Sequence, residues 1–146
     1  WSYGPQTWMM NRLQMEHQKS SGLYNQFKLT AAQQVFKESR EDRNFGSTSL
    51  RERKERVSVY SLNLDFFKRF EGKARFHYGL EYINNQISSE AELSSIDPAN
   101  PRSFPIATRY PDGSSWQSAG LYLNYFKRFN SWYKLVAPTA LTTPKP

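Results

Sequence analysis

His17 and His77 are the only imidazoles in a chain with no cysteine, and they lie far apart in it. Metal centres draw ligands at short, recurring spacings. Neither histidine has a second His or Cys at such a spacing, so the residues predict no metal site and no cofactor. His77 stands instead in alternation with Arg75 and Glu81, and Asp65 lies on the matching face of the preceding stretch. Asp65, Arg75, His77 and Glu81 therefore read as a polar network, with Asp65 and Arg75 expected to pair across a short turn. A second group, Arg102, Arg109, Tyr110 and Trp116, offers cations and rings to an anionic or catecholate ligand, or to a protein surface. Its bland alternative is a solvated loop in which Pro111-Asp112-Gly113 is simply a turn. No Gly-rich phosphate loop, nucleophile elbow or His-Glu-x-x-His helix is present. Glu81 has no acid/base partner, and the sequence predicts no enzyme.

The elements that must position these residues are strands. Tyr24–Phe36, Val57–Phe67, Ala74–Ile87 and Ser118–Phe126 each alternate in polarity, with weaker stretches at Trp8–Glu16 and Trp132–Ala137. Period two sends successive side chains to opposite faces. One face carries Leu62, Leu64 and Phe66, then Phe76, Tyr78 and Leu80, then Leu121 and Leu123. The other carries Asn63 and Asp65, then Arg75, His77 and Glu81, then Tyr122 and Asn124. Ring residues Tyr60, Phe66, Tyr78, Tyr82 and Tyr125 fall near strand ends.

The connections alternate in length. Short ones fall at Lys19–Gly22, Glu71–Gly72 and Asn130–Ser131, and long ones at Glu38–Lys54 and Ser88–Ser115. Tight turns at one end of a meander and long loops at the other are the layout of outer-membrane β-barrels, with short periplasmic turns and long extracellular loops. A mean hydropathy of −0.79 does not oppose this. Only every second residue of a barrel strand meets lipid, so no apolar run of ~20 residues is required. The expected fold is all-β: an antiparallel up-and-down meander of about six strands, forming part of a transmembrane barrel wall. The Leu62, Leu64, Phe66, Phe76, Tyr78, Leu80, Leu121 and Leu123 row would face lipid. Asp65, Arg75, His77 and Glu81 would face the lumen, because lipid charges several kcal/mol for each ionised group near the midplane.

The net charge is +7. Much of it is expected in Arg51–Arg56 (RERKER), which reads as a nucleic-acid patch, a helical turn, or the charged upper part of a strand meeting lipopolysaccharide phosphates. The last is favoured. An internal echo, Leu62-Asn63-Leu64-Asp65-Phe66-Phe67-Lys68-Arg69-Phe70 against Leu121-Tyr122-Leu123-Asn124-Tyr125-Phe126-Lys127-Arg128-Phe129, ends both times in FKRF before a turn. Its simplest cause is positional: rings at a membrane interface, charges beyond them in water.

Several segments resemble the mid-barrel of TonB-dependent outer-membrane receptors of the siderophore and haem branch. They are Glu38-Ser39-Arg40-Glu41-Asp42-Arg43-Asn44-Phe45, Val59-Tyr60-Ser61-Leu62-Asn63-Leu64-Asp65-Phe66, Tyr78-Gly79-Leu80-Glu81-Tyr82 and Thr108-Arg109-Tyr110-Pro111-Asp112-Gly113-Ser114-Ser115. The resemblance covers about Pro5–Lys134 and rests on order and spacing. It implies an outer-membrane barrel of about 22 strands with an N-terminal plug and a TonB box, energised uptake of an iron-siderophore or haem ligand, and lipid and lipopolysaccharide as surroundings. TonB would be reached only through the plug, which lies outside this chain. Residues 1–137 would be partial barrel. Where the family continues a strand with a Gly-x-Arg-Tyr-like segment, this chain reads Pro138-Thr139-Ala140-Leu141-Thr142-Thr143-Pro144-Lys145-Pro146. Residues 138–146 are accordingly expected to be irregular, as at a truncated or frameshifted end, and the whole chain to be an internal fragment.

Two other functions compete. A soluble, lipocalin-like β-barrel binding a small ligand predicts the apolar rows turned onto a closed core. A basic β-sheet nucleic-acid binder predicts arginines and rings on one face. In this sequence they mostly segregate, and no nucleic-acid partner is expected.

Overall fold

The protein is described by a computed structural model covering residues 2–20, 22–71, 74–129 and 134–145. The strands are Ser2–Tyr3 (β1), Thr7–Gln18 (β2), Gln26–Asp42 (β3), Ser49–Arg69 (β4), Ala74–Ser95 (β5), Ser103–Pro105 (β6), Ser115–Arg128 (β7) and Lys134–Lys145 (β8). They form one antiparallel sheet with the order β1-β3-β4-β5-β7-β8, in which β2 also pairs with β3 and β6 with β5. A strand has two edges. One edge of β3 faces β4, so β1 and β2 share the other; β6 and β7 share the outer edge of β5 in the same way. Eight segments thus make six strand positions in a meander, as the alternation predicts. The path ends at β8 without returning to its start, so the sheet stays open.

The strands are longer than their alternating cores: β3, β4 and β5 have 17, 21 and 22 residues. The expected long connections shrink accordingly, the first to residues 43–48. Arg51–Arg56 is strand, neither helix nor loop. The ladder continues through these charged stretches because they are complementary: Asp42 on β3 accepts from Arg51 (3.1 Å) and Arg53 (3.4 Å) on β4. The segment after β5 is interrupted by β6, whose Ser103 and Phe104 lie opposite Ser94 and Leu93.

The irregular tail expected from Pro138 is corrected. β8 runs to Lys145 and pairs with β7 without a break, from Arg128↔Lys134 to Gln117↔Lys145. A proline breaks a ladder only where its missing N–H was needed. Pro138 and Pro144 lie an even number of residues apart, so both missing N–H groups fall on one edge of β8. The turn expected at Asn130–Ser131, the start of the stretch at Trp132, and Gly72 of the Glu71–Gly72 turn lie outside the described residues.

Contacts divide the chain into two compact units. One comprises Trp1–Met10, Gln34–Val59 and Asn85–Ser115, and holds the long connections; it is called the loop unit below. The other comprises Asn11–Gln33, Tyr60–Asn84 and Trp116–Pro146, and holds the short turns; it is the turn unit. Among the described residues the only buried side chains are Val35 (6%), Ser89 (3%) and Ala91 (9%), all in the loop unit, and no large side chain is fully buried. A soluble domain of this size would bury a substantial set of Leu, Ile, Val and Phe. Here Leu13, Leu121 and Leu141 are each more than 60% exposed.

Candidate functional site

In the turn unit, the polar face is organised by three strands. Tyr122 on β7 donates its hydroxyl to the Asp65 carboxylate on β4, and that hydroxyl also hydrogen-bonds His77 Nε2 on β5 at 3.3 Å. The His77 and Tyr122 rings meet edge-on, centroids 5.3 Å apart at 71°. β5 lies between β4 and β7, so the Tyr122 side chain must cross it. It does so over Gly79, where a Cβ would stand 2.6 Å from the Tyr122 hydroxyl oxygen and would also strike the Leu64 carbonyl. Gly79 is required by that close approach, not by its backbone angle.

The expected Asp65–Arg75 pair is not formed: Arg75 lies over the Phe126 ring, 5.7 Å from its centroid. A phenol is a neutral donor that reaches Asp65 without desolvating a second charge, and Arg75 keeps its charge at the exposed surface above a ring. Glu81 occupies the same alternating face and is exposed. Arg69 lies 5.3 Å over Phe67, so cations and rings do share the polar face at two places, and their segregation is less complete than the sequence suggests. Tyr122, Phe126 and Gly79 were not legible as site residues. The available signals were that Tyr122 and Phe126 alternate with Leu121, Leu123 and Tyr125, and that Gly79 interrupts a strand.

The opposite face of the turn unit carries two clusters of rings. Phe66 stacks on Tyr78 (5.1 Å, 11°) and touches Phe27 and Tyr24. Phe76 on β5 meets Phe70 at 5.3 Å and Tyr125 at 4.9 Å. Tyr24 in turn meets His17, whose Nδ1 shares a hydrogen bond with the Tyr24 hydroxyl at 3.1 Å. Phe66 and Tyr78 thus fall in one ring cluster and Phe76 in a second, while Leu62, Leu121 and Leu123 continue the same alternating rows with 37%, 61% and 44% of their surface exposed. Leu64 and Leu80 share the parity of those rows and are half-buried. The FKRF echo repeats in three dimensions. Lys68 Nζ lies over Phe70 at 5.8 Å and Lys127 Nζ over Phe129 at 5.0 Å.

In the loop unit the charges are paired along the strands. Arg40 bonds Glu38, Lys54 bonds Glu52 at 3.0 Å, and Asp42 holds Arg51 and Arg53. Among the expected ligand residues, Arg109 lies 5.4 Å over the Tyr110 ring, and Arg102 Nε donates to Asn100 at 3.0 Å. Trp116 is not in the loop at all. It is the second residue of β7 and belongs to the turn unit, because the β7 alternation extends further back than its most apolar stretch. Pro111–Ser114 is a turn, with Gly113 at φ +76°. Asp112 in that turn accepts the Ser89 N–H at 3.0 Å, and this bond, chiefly, holds its carboxyl below the ordinary value.

Charge is divided unequally. The turn unit contains eleven Lys and Arg against four Asp and Glu, and the loop unit nine against nine. The net +7 therefore lies in the turn unit, and the expected excess at Arg51–Arg56 is cancelled by its neighbours. Among the described residues no three His, Asp or Glu side chains group as a metal would require. No family model, no curated protein and no solved structure matches the chain.

Proposed function

We propose that this chain is a section of the barrel wall of an outer-membrane active-transport receptor of the TonB-dependent kind, taking up an iron-siderophore or haem-type ligand. The observation that carries the membrane part of this reading is the open sheet in which, among the described residues, no large side chain is fully buried. One face in the turn unit carries clustered rings and exposed leucines, the other is hydrogen-bonded and charged, and the sheet does not close on itself. β3, β4 and β5 exceed the 9–11 residues that a tilted strand needs to cross a bilayer. The surplus of β3 and β4 falls where both faces are charged, as suits strand projecting into water, and that of β5 carries Glu90 and Glu92 on one face.

In this reading the loops of the loop unit, with Arg109 and Tyr110, contribute to capture outside the cell. The Asp65, His77 and Tyr122 face lines the lumen and Arg75 borders it. Energy coupling belongs to a plug and TonB box outside the chain. The choice of an iron or haem cargo rests on the family resemblance alone. The lipocalin-like reading is disfavoured by the open sheet, since that reading requires apolar rows turned onto a closed core. Recovery of the flanking coding sequence tests the proposal: a plug-encoding segment upstream and further alternating strands downstream are expected. Flanks that encode neither would overturn it.

A further inference from the structure

Two arginines face each other on the polar side of the turn unit. The Phe70 N–H donates to the Ala74 carbonyl at 2.9 Å, and Phe66 stacks on Tyr78. The register that these contacts set brings Arg69 on β4 opposite Arg75 on β5. Like charges directly opposite repel, and the two guanidinium groups part. Arg69 lies over Phe67, 5.3 Å from its centroid, and Arg75 over Phe126 at 5.7 Å. Phe67, beneath Arg69, lines a pocket of about 380 Å³ together with Gln26, Lys28, Asp65, Phe66 and His77. Arg75 is one alternation from His77 on the same face. Among the described residues Lys28, Arg69 and Arg75 form no ion pair. The one acid among the lining residues, Asp65, already accepts the Tyr122 hydroxyl.

A pocket with three cations about it and its own carboxylate occupied is complementary to negative charge. We propose that it binds the oxyanion group of a small molecule, a carboxylate or a phosphate, between Lys28, Arg69 and Arg75. The guanidinium fork matches the paired oxygens of either group, and a ring beneath it leaves its N–H edge free to donate. The cations gather at one pocket, whereas a nucleic-acid backbone needs them strung along a face. The site belongs to the polar face of the turn unit and does not depend on the membrane-wall reading. Within that reading the anion is met in the lumen.

The test is calorimetric titration of the full chain, refolded in detergent micelles, with succinate, with inorganic phosphate and with a tetraglutamate peptide. Arg69→Gln/Arg75→Gln is compared with Lys68→Gln/Lys127→Gln, which removes the same charge from the opposite face of the unit, and with Arg51→Gln/Arg53→Gln in the loop unit. Circular dichroism checks β-structure in every case. The wild type should bind succinate or phosphate saturably, and more weakly as salt is raised. Arg69→Gln/Arg75→Gln should weaken that binding by roughly tenfold or more, while the other two doubles retain it. Lys28→Gln, which leaves the arginine pair intact, should weaken it as well. Undiminished binding in Arg69→Gln/Arg75→Gln, equal loss in all three doubles, or no saturable binding of either small anion would overturn the site. Binding of the peptide alone would overturn the small-molecule assignment.

Discussion

The hydroxyl of Tyr122 on β7 reaches across β5 to the Asp65 carboxylate on β4, passing over Gly79. One polar contact therefore ties three adjacent strands of the turn unit, and a glycine on the middle strand makes room for it.

Gly79→Ala should be costly, because the new methyl meets both the Tyr122 side chain and the Leu64 carbonyl, and a backbone neighbour cannot swing away. A loss of about 1–3 kcal/mol is expected from overpacking, read by denaturant unfolding in detergent micelles. Adding Tyr122→Phe should not relieve the carbonyl clash. Full recovery in that double variant would place the strain on the tyrosine alone.

Tyr122→Phe and Asp65→Asn should be non-additive. A half-exposed hydrogen bond to a carboxylate is worth on the order of 1 kcal/mol, and the coupling energy of the cycle should be of that size. A coupling near zero would mean that the contact does not organise the polar face.

The two faces should differ in access to water-soluble reagents. The chain has no native cysteine, so single Leu62→Cys, Leu121→Cys, Asn63→Cys and Glu81→Cys variants report one site each. In bilayers, a polar maleimide should label positions 63 and 81 quickly and positions 62 and 121 slowly. The reverse pattern would refute the assignment of the leucine rows to lipid.

Acid should loosen the Asp112–Ser89 clasp. The folded carboxyl titrates below its ordinary value of 3.8 because it accepts the Ser89 N–H and further hydrogen bonds from Ser88 and Gly113. Its contribution is therefore complete above pH 3.8 and is lost as pH falls through the lower folded value. The protection of the Ser89 amide relative to its intrinsic exchange rate should fall only in that acid window, and Asp112→Asn should shift or abolish the step. Protection that is already lost near neutrality would point to another group.

The Asp42 pair with Arg51 and Arg53 should contribute little in isolation, since the three side chains are 30–44% exposed. Asp42→Asn should change stability by less than about 1 kcal/mol. A larger loss would mean that the pairs hold β3 and β4 in register rather than decorate them.

Alternation alone determined that the chain is all-β, where the main strands lie and which residues share a face. Leu62 and Leu64 against Asn63 and Asp65, or Phe76 and Tyr78 against Arg75 and His77, are separated by a period of two that each short stretch of backbone imposes on itself. The tertiary structure decided what no local pattern encodes. It gave Asp65 to Tyr122 rather than to Arg75, carried β8 through Pro138 and Pro144, and set Arg51 and Arg53 against Asp42. It also moved Trp116 out of the loop and left the net positive charge in the turn unit. Each of these depends on which residue arrives opposite which across the sheet, and that register is set by all the strands together.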